Sequence, residues 1–144
     1  YGRAARALAA AAALPDAPPF VGPLAARMAA TAGEPEAGLQ MVESLMQGMR
    51  DPALLETYGE RRRLLLLEVH LKHLQRAVDR YREAHGAPPA TLAALVGAGL
   101  LRAVPEDPLG GTYGLDAAGH VTTVHEAQRL RLRPEVRQPT HASD

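Results

Sequence analysis

The sequence has no cysteine and no tryptophan, and its 144 residues include a single phenylalanine. Without thiols there are no disulfides, no iron–sulfur clusters, no Cys-type zinc sites and no cysteine nucleophile. With aromatics at only 3%, a core must be built from small and aliphatic side chains. The 28 alanines and 21 leucines suit closely approaching helices better than a β-sandwich. An excess of one charge sign is also missing: 16 basic residues balance 16 acidic ones. The electrostatic footprint of a nucleic-acid or anionic-membrane binder is therefore absent. Long apolar runs are absent too. Leu64 to Leu67 is flanked by Arg61, Arg62 and Arg63 on one side and by Glu68, His70, Lys72 and His73 on the other. A membrane-spanning helix needs roughly 20 apolar residues.

What is present is a chain that is 47% hydrophobic, too apolar to be disordered throughout. Its length suits one ordinary domain or two very small units sharing a core. Lys72 is the only lysine against fifteen arginines, a bias ascribed to genome base composition. The chain opens Tyr1-Gly2-Arg3-Ala4, without an initiator Met and already in a helical pattern. It therefore reads as a piece of a longer protein.

Helices are expected over Tyr1 to Leu14, which is alanine-rich, over Val21 to Thr31 and over Glu36 to Met49. Pro15 and Pro18-Pro19 stop the first. Leu24, Ala25 and Met28 mark the apolar face of the second. Gly33 and Pro35 form the turn into the third, whose face is Leu39, Val42, Leu45, Met46 and Met49. Asp51 then caps a long helix with Pro52 at its first position and Gly86 at its end. Along it Leu64, Leu67, Leu71, Leu74, Val78, Tyr81 and His85 alternate steps of three and four, a heptad seam. Leu65, Leu66 and Val69 widen that surface, which predicts contact with two layers.

Beyond Pro88-Pro89, Thr91 to Val96 reads as a short helix burying Leu92, Leu95 and Val96. Pro105 to Pro108 is a rigid turn. Thr112 to Leu115 and His120 to Val124 read as the arms of a β-hairpin, with Gly119 placed for positive φ. A lone hairpin is marginal in water, so it is expected to dock on the C-terminal half of the long helix. His125 to Leu132 reads as a helical turn or extended arm. Residues 133–144 look like a solvated tail.

Two resemblances follow. Tyr1, Ala4, Leu8, Ala11 and Pro15, then Leu24-Ala25-Ala26, Gly33, Gly38, Val42, Leu45 and Pro52, resemble tetratricopeptide repeats, whose helix pairs recur every ~34 residues. The usual early aromatic is missing, and Gly38 stands where alanine is usual. The resemblance implies further repeats before Tyr1 and a concave groove faced by Pro23, Arg27 and Thr31. Leu74, Ala77, Val78, Tyr81, His85-Gly86, Pro89, Leu92, Leu95, Val96, Leu101, Pro105, Asp107-Pro108, Gly110 and Tyr113 resemble the soluble part of type II secretion and type IV pilus-like pseudopilins. That similarity spans about 64–124. It implies a helix, a short Pro-started helical turn, an Asp-Pro turn and a terminal hairpin, in a protein of a bacterial envelope or pilus-type assembly. The apolar prepilin helix and a convincing acidic calcium loop are missing, so anchoring, filament packing and calcium binding do not carry over.

The expectation is thus a mainly α chain. Residues 1–52 form repeat-like antiparallel helix pairs. Residues 53–132 carry the long helix, the short helix and the hairpin, and 133–144 form the tail. The function expected is a non-enzymatic interaction or scaffold module with protein partners, no cofactor, no nucleic acid and no membrane span, open to a larger assembly. The compartment is left between bacterial envelope and cytoplasm. Arg27, Met28 and Thr31 are the candidate partner-binding residues. Leu67, Leu71, Leu74, Val78 and Tyr81 are expected to build the seam. Asp107, Pro108, Gly111 and Gly119 are expected to shape the hairpin, with Asp107 accepting backbone N–H bonds. Two alternatives compete: a subunit whose seam receives a foreign helix, and a metal site using His70 and His73, one helical turn apart with Glu68 close by. Arg61, Arg62 and Arg63 span about 200° of a helix and are expected to pair with Glu56, Glu60 or Glu68. His70, Lys72, Arg76 and Arg80 read as a wet face, without an aromatic platform for bases. The methionines Met28, Met41, Met46 and Met49 read as adaptable core fillers.

Overall fold

The computed structural model describes residues 2–130. Five helices come first: α1 (Gly2–Ala12), α2 (Val21–Thr31), α3 (Pro35–Gln47), α4 (Pro52–His85) and α5 (Ala93–Gly97). Strands β1 (Gly114–Leu115) and β2 (Val121–Thr122) and a 3₁₀ turn (Glu126–Gln128) follow. The fold is mainly α with one long helix and a small hairpin, as the sequence pattern predicts.

Local chemistry sets the boundaries. Asp51 accepts the Ala53 N–H at 2.9 Å at the start of α4. Gly86 ends that helix in the left-handed region at φ 79°, its own N–H bonded to the Arg82 carbonyl, a conformation cheap only for glycine. Pro35 and Pro52 occupy first helical positions, where no N–H is needed.

Small residues bring α1, α2 and α3 together. Ala25, Ala26 and Ala29 have no exposed surface. A Cβ on Gly38 would lie 2.7 Å from the Ala26 carbonyl oxygen and 2.9 Å from Leu65 Cδ2. That close approach leaves room for no side chain at position 38. On Gly22 a Cβ would collide with the Tyr58 hydroxyl, and that hydroxyl donates to the Pro19 carbonyl at 3.2 Å. The single bond fixes where α2 begins relative to α4.

The long helix, roughly 50 Å at 1.5 Å per residue, serves two cores. Its first half gives Tyr58 and Leu65 to a cluster with Ala26, Val42 and Leu130, bordered by Leu39, Leu45, Met46, Met49 and Leu64. Its second half gives Leu67, Leu71, Leu74, Ala77 and Val78 to a cluster with Leu92, Leu95 and Tyr113, bordered by Tyr81, Leu115 and Val121. The hairpin therefore docks where the sequence places it. The seam is filled by the chain's own α5 and hairpin residues.

Several expectations are corrected. The expected contact with two layers is met by different stretches of the helix: Leu64 and Leu65 turn to α2 and α3, while Leu67 to Val78 face α5 and the hairpin, because 3.6 residues per turn carries a row around the helix. His85 leaves the seam and stacks on the Tyr81 ring at a centroid distance of 4.0 Å. Leu24 is 40% exposed and Val96 37% exposed, so neither lies on its helix's buried face. Pro23 is buried instead of facing a groove. The strands are two residues long, pairing Gly114 with Thr122 and Leu115 with Val121. Side-chain bonds support this short ladder: Gln75 accepts the Val121 N–H at 2.9 Å, and Thr123 donates to Asp107 at 3.0 Å. The expected tail at 133–144, and the end of the arm at Arg131 and Leu132, lie outside the described residues.

Candidate functional site

Helix α2 lays one stripe open. Phe20 precedes the helix and Leu24, Arg27, Met28 and Thr31 follow at steps of three and four, so they share a face. The opposite side is fixed by the buried Val21, Gly22, Ala25, Ala26 and Ala29. Phe20, the chain's only phenylalanine, is 66% exposed. Arg27 is exposed, while Met28 and Thr31 are half-buried. The Thr31 hydroxyl donates to the Met28 carbonyl at 3.1 Å, so it is spent within the helix. Arg61 on α4 lies near this stripe and is half-buried. Burial, and then the Arg27 charge, push its guanidinium below the ordinary value. Among the described residues, Arg61 forms no ion pair with Glu56, Glu60 or Glu68, the acids expected for it. Arg62 reaches across to Glu43 of α3 at 3.1 Å, and Glu68 is taken by Arg129.

A second feature is a cleft of about 560 Å³ between the two halves, walled by Thr31, Pro35, Glu68, Leu71, Lys72 and Leu130 among others. Its polar groups are committed. Glu68 accepts from Arg129 at 3.0 and 3.1 Å and from the Leu130 N–H at 3.2 Å. Lys72 donates to the Gly33 carbonyl at 3.0 Å and to Glu36 at 2.9 Å. Burial raises the Glu36 pKa, but the Lys72 hydrogen bond with the Lys72 and His73 charges outweighs it, and the net shift is downward. Gln75 holds the hairpin through Gly119 and Val121. The cleft is a seam of staples, and its uncommitted lining is apolar.

The two candidate metal ligands part company. His70 Nδ1 meets the Tyr113 hydroxyl at 2.9 Å, whereas His73 Nε2 faces Glu36 at 3.3 Å. Among the described residues no three His, Asp or Glu side chains gather to hold a metal ion. Burial, the largest influence, keeps the His70 ring below its ordinary pKa, against the upward pull of Asp107. Burial and then Asp107 push the Tyr113 phenol up.

Leu67, Leu74 and Val78 have no exposed surface and Leu71 is 5% exposed, with half-buried Tyr81 beside them. Asp107 is buried, accepting the Leu109 N–H at 2.8 Å and the Thr123 hydroxyl at 3.0 Å. Pro108 follows it in the turn, half-buried. Gly111 and Gly119 take φ of 89° and 85°, and a side chain on Gly119 would collide with Arg82 and Pro88. Sequence reasoning missed the Glu68–Arg129 clamp. Its signal was a carboxylate set inside an apolar run, Leu67-Glu68-Val69, where burial demands a partner. Compared with protein-family models, curated proteins and solved structures, the chain matches none.

Proposed function

We propose that this chain is a non-enzymatic interaction module and that its partner-binding face is the α2 stripe of Phe20, Leu24, Arg27, Met28 and Thr31. The observation that carries this reading is the exposure of Phe20. A chain with 3% aromatics leaves its one phenylalanine 66% exposed, next to Leu24 at 40%. Aromatic and arginine side chains dominate the energetics of protein interfaces. Here Arg27 and Arg61 add two neighbouring cations beside the apolar pair. Met28 supplies an adaptable surface between them. The similarity to pseudopilins is the reason to seek the partner first in pilus-type assemblies.

The test is a photo-crosslinking residue in place of Phe20 in the full chain, with the same group at exposed Ala98 as control. A partner captured from Phe20 and not from Ala98 is expected to lose at least tenfold in affinity for a Phe20→Ser, Leu24→Ser variant. Both positions are exposed, so the urea midpoint should stay unchanged. Identical crosslinks from the two positions, or full retention by the double variant, would count against the reading.

A further inference from the structure

We infer that the cleft between the second half of α4 and the Leu100–Leu101 segment binds an acidic, aliphatic peptide segment of a partner protein. The cleft is lined by His73, Arg76, Ala77, Arg80, Leu100 and Leu101 and encloses about 260 Å³. The α4 residues lie at steps of three and four, so one helical stripe forms one wall. Ala77 is 5% exposed and the two leucines are half-buried, giving the cleft an apolar floor. Small-molecule pockets begin at about 300 Å³, so this space suits one or two side chains of a peptide better than a cofactor.

Charge selects the occupant. No carboxylate lines the cleft. Among the described residues, Arg76 and Arg80 take part in none of the ion pairs. Glu36 touches the rim through His73 at 3.3 Å, but Lys72 holds the same carboxylate at 2.9 Å. Like charges four residues apart on a helix repel, and a bound carboxylate relieves that repulsion. Guanidinium groups also bind carboxylates through two parallel hydrogen bonds. The aliphatic floor then selects a Leu-, Ile- or Val-like neighbour of that acid. Nucleic acid is disfavoured because the rings at the cleft are engaged elsewhere: His73 faces Glu36 at 3.3 Å, and the nearby Tyr81 is stacked on His85 at 4.0 Å. Arg76 and Arg80 of this wall read from the sequence as part of a wet face. The structure supplies what that reading lacked, the Leu100–Leu101 segment folded back against it. None of these side chains belongs to the α2 stripe, so either surface can fail alone.

The experiment is a random-peptide display selection against the whole chain, followed by titration of enriched peptides into the wild type and an R76Q/R80Q variant. Both arginines are exposed, and equal urea midpoints will show that the variant is folded. The expected result is enrichment of peptides pairing Asp or Glu with Leu, Ile or Val. Their affinity should drop at least tenfold in R76Q/R80Q and vanish when the acids become amides. Amide shifts should map to His73–Arg80 and Leu100–Leu101. No enrichment, enrichment of neutral peptides, or equal binding to the variant overturns the inference. So does tighter binding of a single-stranded oligonucleotide or of phosphatidylserine vesicles through the same arginines.

Discussion

His70 shows how a single side chain ties pH to stability. Its ring is half-buried against Tyr113, and burial holds its pKa below the ordinary 6.5. The unfolded chain therefore accepts a proton that the folded chain resists. Stability is undiminished above about pH 6.5 and falls as pH drops through that value, until the folded ring also protonates. Glu36, held below 4.5 in the fold, loses its contribution only in more acid solution. Urea midpoints are expected to fall between about pH 7.5 and 5.5, and His70→Gln should flatten that slope. An identical slope in the variant would refute the assignment. Gly38 makes the steric counterpart. Its missing Cβ leaves room for the Ala26 carbonyl at 2.7 Å, a backbone atom that cannot rotate away. Gly38→Ala should cost about 1–3 kcal/mol as overpacking, measured by chemical denaturation, even though alanine is the better helix former.

At the scale of elements, the residues after β2 are held as firmly as a helix cap. Glu68 of α4 takes two hydrogen bonds from Arg129 and one from the Leu130 N–H. Leu130 thereby drops into the cluster of Tyr58 and Leu65. Removing one partner of a buried charged pair leaves the other unpaired. Glu68→Gln is expected to release the Leu130 amide to fast hydrogen exchange, while the seam amides of Leu74 and Val78 remain protected. Loss of protection at all three together would mean that the clamp is part of the global core. The hairpin follows the same logic. Two-residue strands hold too few ladder bonds to stand alone, and Gln75, Arg82 and the Asp107–Thr123 bond complete them.

For the molecule as a whole, one uninterrupted helix joins both clusters. A helix is cooperative along its length, so neither half can lose its packing without straining the other. Leu65→Ala and Leu74→Ala, one in each cluster, should each lower stability by about 2–5 kcal/mol. In both variants, helical circular dichroism and a probe at Tyr113 should unfold with the same midpoint. Separated transitions would show two independent units.

Much of this was written in the order of residues. Alanine content, the leucine spacing of Leu67 to Val78, the start at Pro52 and the stop at Gly86 determined the helices, because helix formation answers to neighbours three and four residues away. Asp107 and Gly119 announced the turns for the same local reason. Tertiary structure alone decided which acid met which base, that Leu130 would join the N-terminal cluster, and that Leu100–Leu101 would turn the basic stripe of α4 into a cleft. Those outcomes depend on groups up to 62 positions apart in the chain, and no local preference carries that information. They are settled by burial, which forces a buried charge such as Glu68 to find a partner wherever the fold brings one within reach.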